Sequence, residues 1–248
     1  MTRSSHTPLT VEAIIDTAEK LIVEADAKEC TLRALSRALG CAPGALNNYF
    51  PGGVDEIISA VQARESERLQ SWITDAGDNP DYPALGNLER MSNAARLARR
   101  CCAYLDFAEA NPAVYRHLFA HPPSIGAPDN EPVVIAMIED TAQIIQAAAR
   151  MAELNRPMIG RSDAMRLAHL IWVQLHGFAD LRISGKDEGQ IHQIRLPLLA
   201  SLLYLAGFHI AATPAGFEAA AKNAAAECAA SAEHTDYNPT RKIARYAR

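Results

Sequence analysis

Several signatures are missing from this 248-residue chain, and each absence excludes a class of protein. No pair of cysteines stands at CxxC spacing, and none shares a zinc-ligand spacing with histidines, although the chain holds five cysteines, two of them adjacent at Cys101-Cys102. An odd count without a paired framework predicts reduced thiols, a cytoplasmic protein and no structural metal or other cofactor. The opening MTRSSHTPLT has no apolar stretch ahead of a cleavage site, so secretion is not expected. An excess of basic charge is absent too: the formal net charge is −5, so the molecule as a whole is no basic nucleic-acid coat. There is no HExxH, GxSxG or phosphate-binding loop, and no paired carboxylates at helical spacing, so an enzyme is not expected. No run alternates in the manner of a strand bounded by turns, and no segment repeats. Leu196 to Ala212 is the one long apolar run, yet it contains Pro197 and His209 between polar flanks. It reads as a buried helix, and no membrane partner is expected.

What is present is helical. With 49% hydrophobic and 21% charged residues, the composition is that of a globular chain long enough for one or two domains. Val11, Ile14, Ile15, Ala18, Leu21, Ile22 and Ala25 recur at helical spacing behind the capping residue Thr10. Thr31 is placed to cap a second helix carrying Leu32, Leu35 and Leu39, which Gly40 ends. Pro43 suits the first turn of a third, and Pro51-Gly52-Gly53 stops it after about two turns. A longer helix follows from Val54, and Gly77 to Pro83 is the clearest linker. Beyond it, helices are expected at 84–109, 112–120, 131–154, 162–184, 188–211 and 214–232. The fold class is all-α.

The third helix is too short and too polar for a core element. Two helices joined by a tight glycine turn form a helix-turn-helix, whose second helix can enter a major groove. Gly44, Ala45, Asn47 and Asn48 would let the backbone approach DNA and offer amides to bases or phosphates, while Leu46 and Phe50 face inward. Thr31 to Val54 contains Arg33 and Arg37 and no acidic residue, hence +2 within a chain of −5. Two helices around a glycine turn are also a common packing motif.

Residues 10–58, from VEAIIDTAEKLI through TLRALSRALGCAPGALNNYF to PGGVDEII, resemble the DNA-binding domain of TetR-family transcriptional regulators. The shared pattern falls on Thr31, Gly40, Ala42-Pro43 and Tyr49-Phe50. The resemblance implies a homodimer that binds double-stranded, palindromic operator DNA and releases it when a small molecule enters the second domain. Thr31, Arg33, Pro43, Gly44, Ala45, Asn47, Asn48 and Tyr49 are the implied DNA-binding residues. Three positions depart from the family: Asn47 stands for a tyrosine that touches phosphate, Gly53-Val54 for a lysine with a phosphate charge, and Ala42 for a capping serine, which leaves an N–H orphaned or frees it for phosphate. Tyr49 is expected to supply the phosphate hydroxyl that Asn47 lacks.

Residues 98 to 182 similarly resemble a TetR subgroup with a Trp-His-Gly signature, met at Trp172, His176 and Gly177, with Asn111-Pro112 and Tyr115 to Phe119 in its middle helices. That likeness implies an effector-binding, dimerising domain. Candidate ligand-binding residues are Cys101, Tyr104, Leu105, Tyr115, Phe119, Trp172 and His176, around a small, mostly apolar effector expected between 77–83 and the helix of Trp172. Each has a plainer reading as packing. His176 is a pocket donor, a proton sensor, or a core histidine bonded to a carbonyl. Cys101-Cys102 beside Arg99 and Arg100 is an oxidant sensor or a pair of inert thiols. His117 and His121 lack a further ligand at metal spacing. The apolar helices 162–184 and 196–210, with Leu202 in the second, are expected to form the dimer seam.

The expected division is therefore a helix-turn-helix DNA-binding domain at 1–53, a connecting helix at 54–76, a helical effector-binding and dimerisation domain at 84–232, and a flexible basic tail at 233–248. The competing class is a helical small-molecule-binding protein or enzyme without DNA binding.

Overall fold

Helices carry the regular structure in a computed structural model that describes residues 9–25, 29–83, 92–120, 131–154, 159–184 and 194–208. The expected helix at 214–232 and the tail at 233–248 lie outside these residues, as do 84–91 and 188–193 of two others. In chain order the helices are α1 (Val11–Ala25), α2 (Leu32–Leu39), α3 (Pro43–Leu46), α4 (Val54–Asp78), α5 (Asn93–Ala110), α6 (Pro112–Ala120), α7 (Glu131–Arg150), α8 (Arg161–Ile183) and α9 (Arg195–Ala206). One isolated antiparallel bridge, Leu154 to Phe208, is the sole β pairing among the described residues. None of their helices is long and apolar enough to cross a membrane.

Local chemistry sets the ends of the first elements. The Ala13 N–H donates to Thr10 Oγ1 at 3.1 Å, and the Ala34 N–H to Thr31 Oγ1 at 3.2 Å, so both threonines satisfy donors that a helix start leaves open. Gly40 adopts φ 66°, the left-handed conformation that lets the chain leave α2 and re-enter a helix three residues later. Pro43 opens α3, which spans only four residues, half the two turns expected.

The chain divides into two compact units. The first comprises residues 1–68 and 111–133, the second 69–110 and 134–248. The sequence placed 112–120 in the second domain; here α6 falls in the first unit. The core of the first unit gathers Ile14, Ala18 and Ile22 of α1, Leu35 of α2, Leu46, Phe50, and Ile57 and Val61 of α4. In the second unit α5 is buried on nearly every side, with α8 and α9 packed against it. Its polar side chains are tied down: Arg182 of α8 donates to Glu109 at 3.2 Å, Arg195 of α9 pairs with Asp106, and the Tyr82 hydroxyl donates to Asp106 at 2.7 Å. Glu153 caps the start of α5 by accepting the Asn93 N–H at 2.9 Å. Leu202, assigned from the sequence to the dimer seam, is wholly buried within its own protomer, so a charge there would unfold the chain before it split a dimer.

α1 and α4 are joined by ions. Arg64 pairs with Asp16 at 2.6 Å and with Glu19, and Arg68 reaches Glu19 at 2.8 Å and also Glu65. Glu65 itself is buried. Burial pushes its carboxyl up to about 7, the Glu19 charge adds to the rise, and Arg68 and Arg64 oppose it. The folded state thus binds this proton more tightly than the unfolded chain does. Its stabilising contribution is complete below about pH 4.5 and is lost as the pH rises through about 7. Glu65→Gln is accordingly expected to melt close to wild type at pH 5 and several degrees higher at pH 8, as followed by circular dichroism.

Candidate functional site

In the first unit the sequence-predicted residues share one surface. Thr31, Arg33, Pro43, Gly44, Asn47, Asn48 and Tyr49 are exposed and Ala45 is half-buried, whereas Leu46 and Phe50 anchor the segment in the core. A methyl group built at Gly44 would meet nothing within 4 Å, so this glycine is not demanded by packing inside the protein. Arg33 and Arg37 are both exposed, and neither joins an ion pair among the described residues. No side chain caps the start of α3 at Ala42, leaving its first amides open.

Two contacts bear on the expected phosphate-facing residues. The Tyr49 hydroxyl donates to the Leu9 carbonyl at 2.8 Å. Its one proton is therefore engaged in holding the lead-in to α1 and is not available to a phosphate oxygen. The start of α4 is occupied as well: the Gly52 N–H donates to Glu56 Oε2 at 2.7 Å, placing a carboxylate where the family carries a cationic side chain nearby. The remaining positive charge of this face is that of Arg33 and Arg37.

The second unit contains a partly open cavity of about 40 Å³. It is walled by Ile73 and Thr74 of α4, Leu97, Arg100, Cys101 and Tyr104 of α5, Met137, Ile138, Asp140 and Thr141 of α7, and Ile171, Trp172 and Leu175 of α8. Three candidates from the sequence, Cys101, Tyr104 and Trp172, line it. Leu105, Tyr115 and Phe119 do not: Leu105 is fully buried, and Tyr115 packs on Phe119 at 4.8 Å between ring centroids in the first unit. Residues 77–83, the expected neighbours of the ligand, are not in its wall either.

His176 stands just behind the wall. Its ring stacks on the Trp172 indole at 5.1 Å between centroids and 13° between planes, and its Nδ1 shares a hydrogen bond of 3.1 Å with the Tyr104 hydroxyl. For Nδ1 the partner is a side chain. Burial lowers its pKa and Asp180 partly offsets this, so the neutral ring is favoured and the fold loses this contribution as the pH falls below about 6.5. Cys101 and Cys102 are both buried, and burial pushes the Cys101 thiol well above its ordinary range. A thiol held that way is unreactive, which supports the packing reading. His117 is buried in the first unit, His121 lies outside the described residues, and no group of three potential metal ligands occurs among those described.

The sequence missed Arg100, Met137, Ile138, Asp140, Thr141, Ile171 and Leu175 as wall residues. The signal was periodicity across three helices: 97, 100, 101 and 104 on α5, 137, 138 and 141 on α7, and 168, 171, 172 and 175 on α8 each trace one helical stripe. Only packing shows that the three stripes converge.

The first unit thus carries the helix-turn-helix, and the second is a helical unit with a partly open cavity. Residues 97–193 match the family described as tetracyclin repressor-like, C-terminal domain. Among solved structures, a protein of unknown function from Rhodococcus sp. RHA1 aligns with TM-score 0.65 at 19% identity, over 82% of this chain and 98% of that one. A putative regulatory protein, SCO4313, aligns with TM-score 0.60 at 21% identity, over 78% and 95%. A bacterial regulatory protein of the TetR family from Rhodococcus RHA1 aligns with TM-score 0.56 at 16% identity, over 82% and 99%. No curated protein matches the chain significantly. The family match covers residues 97–193, and the likeness to the solved structures is one of fold.

Because the Tyr49 hydroxyl holds the Leu9 carbonyl, Tyr49→Phe is expected to cost about 0.5–1.5 kcal/mol of stability for one lost hydrogen bond. Urea denaturation of the two proteins measures it, and a stability equal to wild type would contradict this role.

Proposed function

We propose that this protein is a DNA-binding transcriptional regulator, a repressor that leaves its operator when a small, mostly apolar effector enters the cavity of the second unit. The observation that carries the reading is α3. Its inward residues, Leu46 and Phe50, are anchored in the core, while Gly44, Asn47 and Asn48 stand exposed beside two uncompensated arginines. Exposed amides on a bare helix serve no packing purpose, yet amides are suited to adenine edges and to phosphates. The match of residues 97–193 to a tetracyclin repressor-like domain supports a regulator over an enzyme.

The proposed functional division keeps DNA reading in 1–53, a connecting helix in 54–76 and effector binding with dimerisation in 84–232, with 233–248 as a tail. For the effector to act as a switch, it must bind the conformer that is incompetent for DNA more tightly, by about 1–3 kcal/mol.

A homodimer fits the surface of α8. Leu170, Val173 and Leu181 are each about half exposed, and Gly177 between them has open space where a side chain would be. These four positions follow one helical stripe, and Tyr204 of the adjoining α9 is exposed to a similar degree. An apolar face with a small residue at its centre suits close approach of the same helix from a second copy around a two-fold axis.

Two sets of measurements check these proposals. In fluorescence titrations against an operator selected from random DNA, Asn48→Ala should lose about 1–3 kcal/mol of discrimination. Gly44→Ala should weaken binding while leaving the melting temperature equal or higher, since a helical glycine without strain gains stability on substitution. Arg33→Ala should weaken binding to all sequences and flatten its salt dependence. If all three bind as wild type does, α3 does not read DNA. Val173→Arg should convert a dimer to a folded monomer in sedimentation, because it places an unpaired charge in the seam and disturbs no core residue. A dimer retained by Val173→Arg would move the seam elsewhere.

A further inference from the structure

Two hydrogen-bond donors of the second unit's cavity have no acceptor. Arg100 Nε and Trp172 Nε1 are buried and without partners, and both residues line the cavity. Arg100 is only 6% exposed, so its charge is removed from water. Its other contacts are long: Nη1 reaches Asp140 Oδ2 and Nη2 reaches Thr74 Oγ1, each at 3.4 Å. A buried guanidinium is normally compensated by short, two-point contact with an anion. Here burial lowers the Arg100 pKa by more than Asp140 restores, which says the same thing energetically. Asp140 is itself about one-third exposed, so water screens the only carboxylate among the described wall residues.

The surroundings hold both donors in place. His176 stacks on the Trp172 indole and is in turn bonded to Tyr104, which fixes the ring. Gly77 leaves open the ground beside Arg100: a methyl there would stand 2.6 Å from Cγ and 2.8 Å from Nε. Neighbouring Arg99 does not share the role, since its Nε and Nη2 both donate to the Gly77 carbonyl, at 3.0 and 2.8 Å. The rest of the wall is apolar, with Leu97, Ile138, Ile171 and Leu175.

We propose that the cavity takes a small organic acid, its carboxylate bound by the Arg100 guanidinium and the Trp172 indole N–H and its apolar body lying against the leucines and isoleucines. This rests on the reading of the cavity as the effector site and names the class of effector. A neutral carbonyl would satisfy a donor but leave the buried charge only weakly compensated by Asp140, whereas a carboxylate does both. The acid also explains the pairing of an arginine with a fixed tryptophan, because a carboxylate has acceptor sites for donors from two directions.

The test uses the full-length protein, with binding read by calorimetry and tryptophan fluorescence. The probes are benzoate, phenylacetate, 3-phenylpropanoate and hexanoate, each against the alcohol of the same carbon skeleton. At least one acid should bind about tenfold or more tightly than its alcohol, the difference of a charge-assisted contact. Arg100→Gln should abolish that preference. Trp172→Phe should weaken the acid severalfold more than the alcohol, narrowing the preference, and it carries the test alone if Arg100→Gln does not fold. Gly77→Ala, which displaces the guanidinium and keeps its charge, should reduce the preference too. Equal binding of acids and alcohols by wild type would overturn the acid assignment and leave the cavity as an effector site. Failure of every probe in both series would overturn the cavity reading as well. A preference that survives in both Arg100→Gln and Trp172→Phe would overturn the assignment to these donors.

Discussion

A helix buried on nearly every side must find partners for its own charges, and this constraint on α5 organises the second unit. Arg99, Arg100, Asp106 and Glu109 cannot all turn to water. Arg99 closes on the Gly77 carbonyl at the end of α4, Asp106 receives Arg195 and Tyr82, and Glu109 receives Arg182. Each of these contacts docks another element onto α5, so burial of charge and assembly of the unit are the same event. Arg100 is the exception, held only by long contacts, and it lies where the wall opens into a cavity. A weakly compensated charge is costly to maintain inside an apolar unit, which is why its position beside an orphan indole N–H points to a ligand and not to packing.

The first unit distributes its residues by the opposite rule. α3 contributes Leu46 and the following Phe50 to the core and leaves the rest of its surface bare. With only four residues it has little helical stability of its own, so its orientation derives from those two anchors and from the turn at Gly40. Ion pairs between α1 and α4 then brace the frame on which it sits, at the cost of burying Glu65 among them. The exposed segment around α3 is thus held by the frame beneath it.

Some residues serve differently from what their type suggested. Tyr49 was legible as an exposed aromatic with a hydroxyl, but a contact with Leu9, forty residues earlier, depends on how α1 returns past the helix-turn-helix. Leu202 looked interchangeable with its neighbours on an all-apolar helix; packing against α5 and α8 decides that it is internal and that Tyr204 is external. Tyr115 and Phe119 read as pocket aromatics, yet they pack tilted against one another in the other unit.

By itself the sequence determined whatever depends on neighbours in the chain. The all-α class follows from periodicity, the caps at Thr10 and Thr31 from hydroxyls one turn ahead of open amides, and the tight turn from a glycine that alone tolerates φ 66° without strain. The helix-turn-helix was legible for that reason, including which of its residues face in. Only the tertiary structure decided which helical stripes meet. The cavity wall is assembled from α4, α5, α7 and α8, and the value of Arg100 lies in an absence, the acceptor that no neighbouring helix supplies. A pattern along one helix records which face is apolar; it carries no information on what stands opposite, and that is where both the cavity and its unmet donors arise.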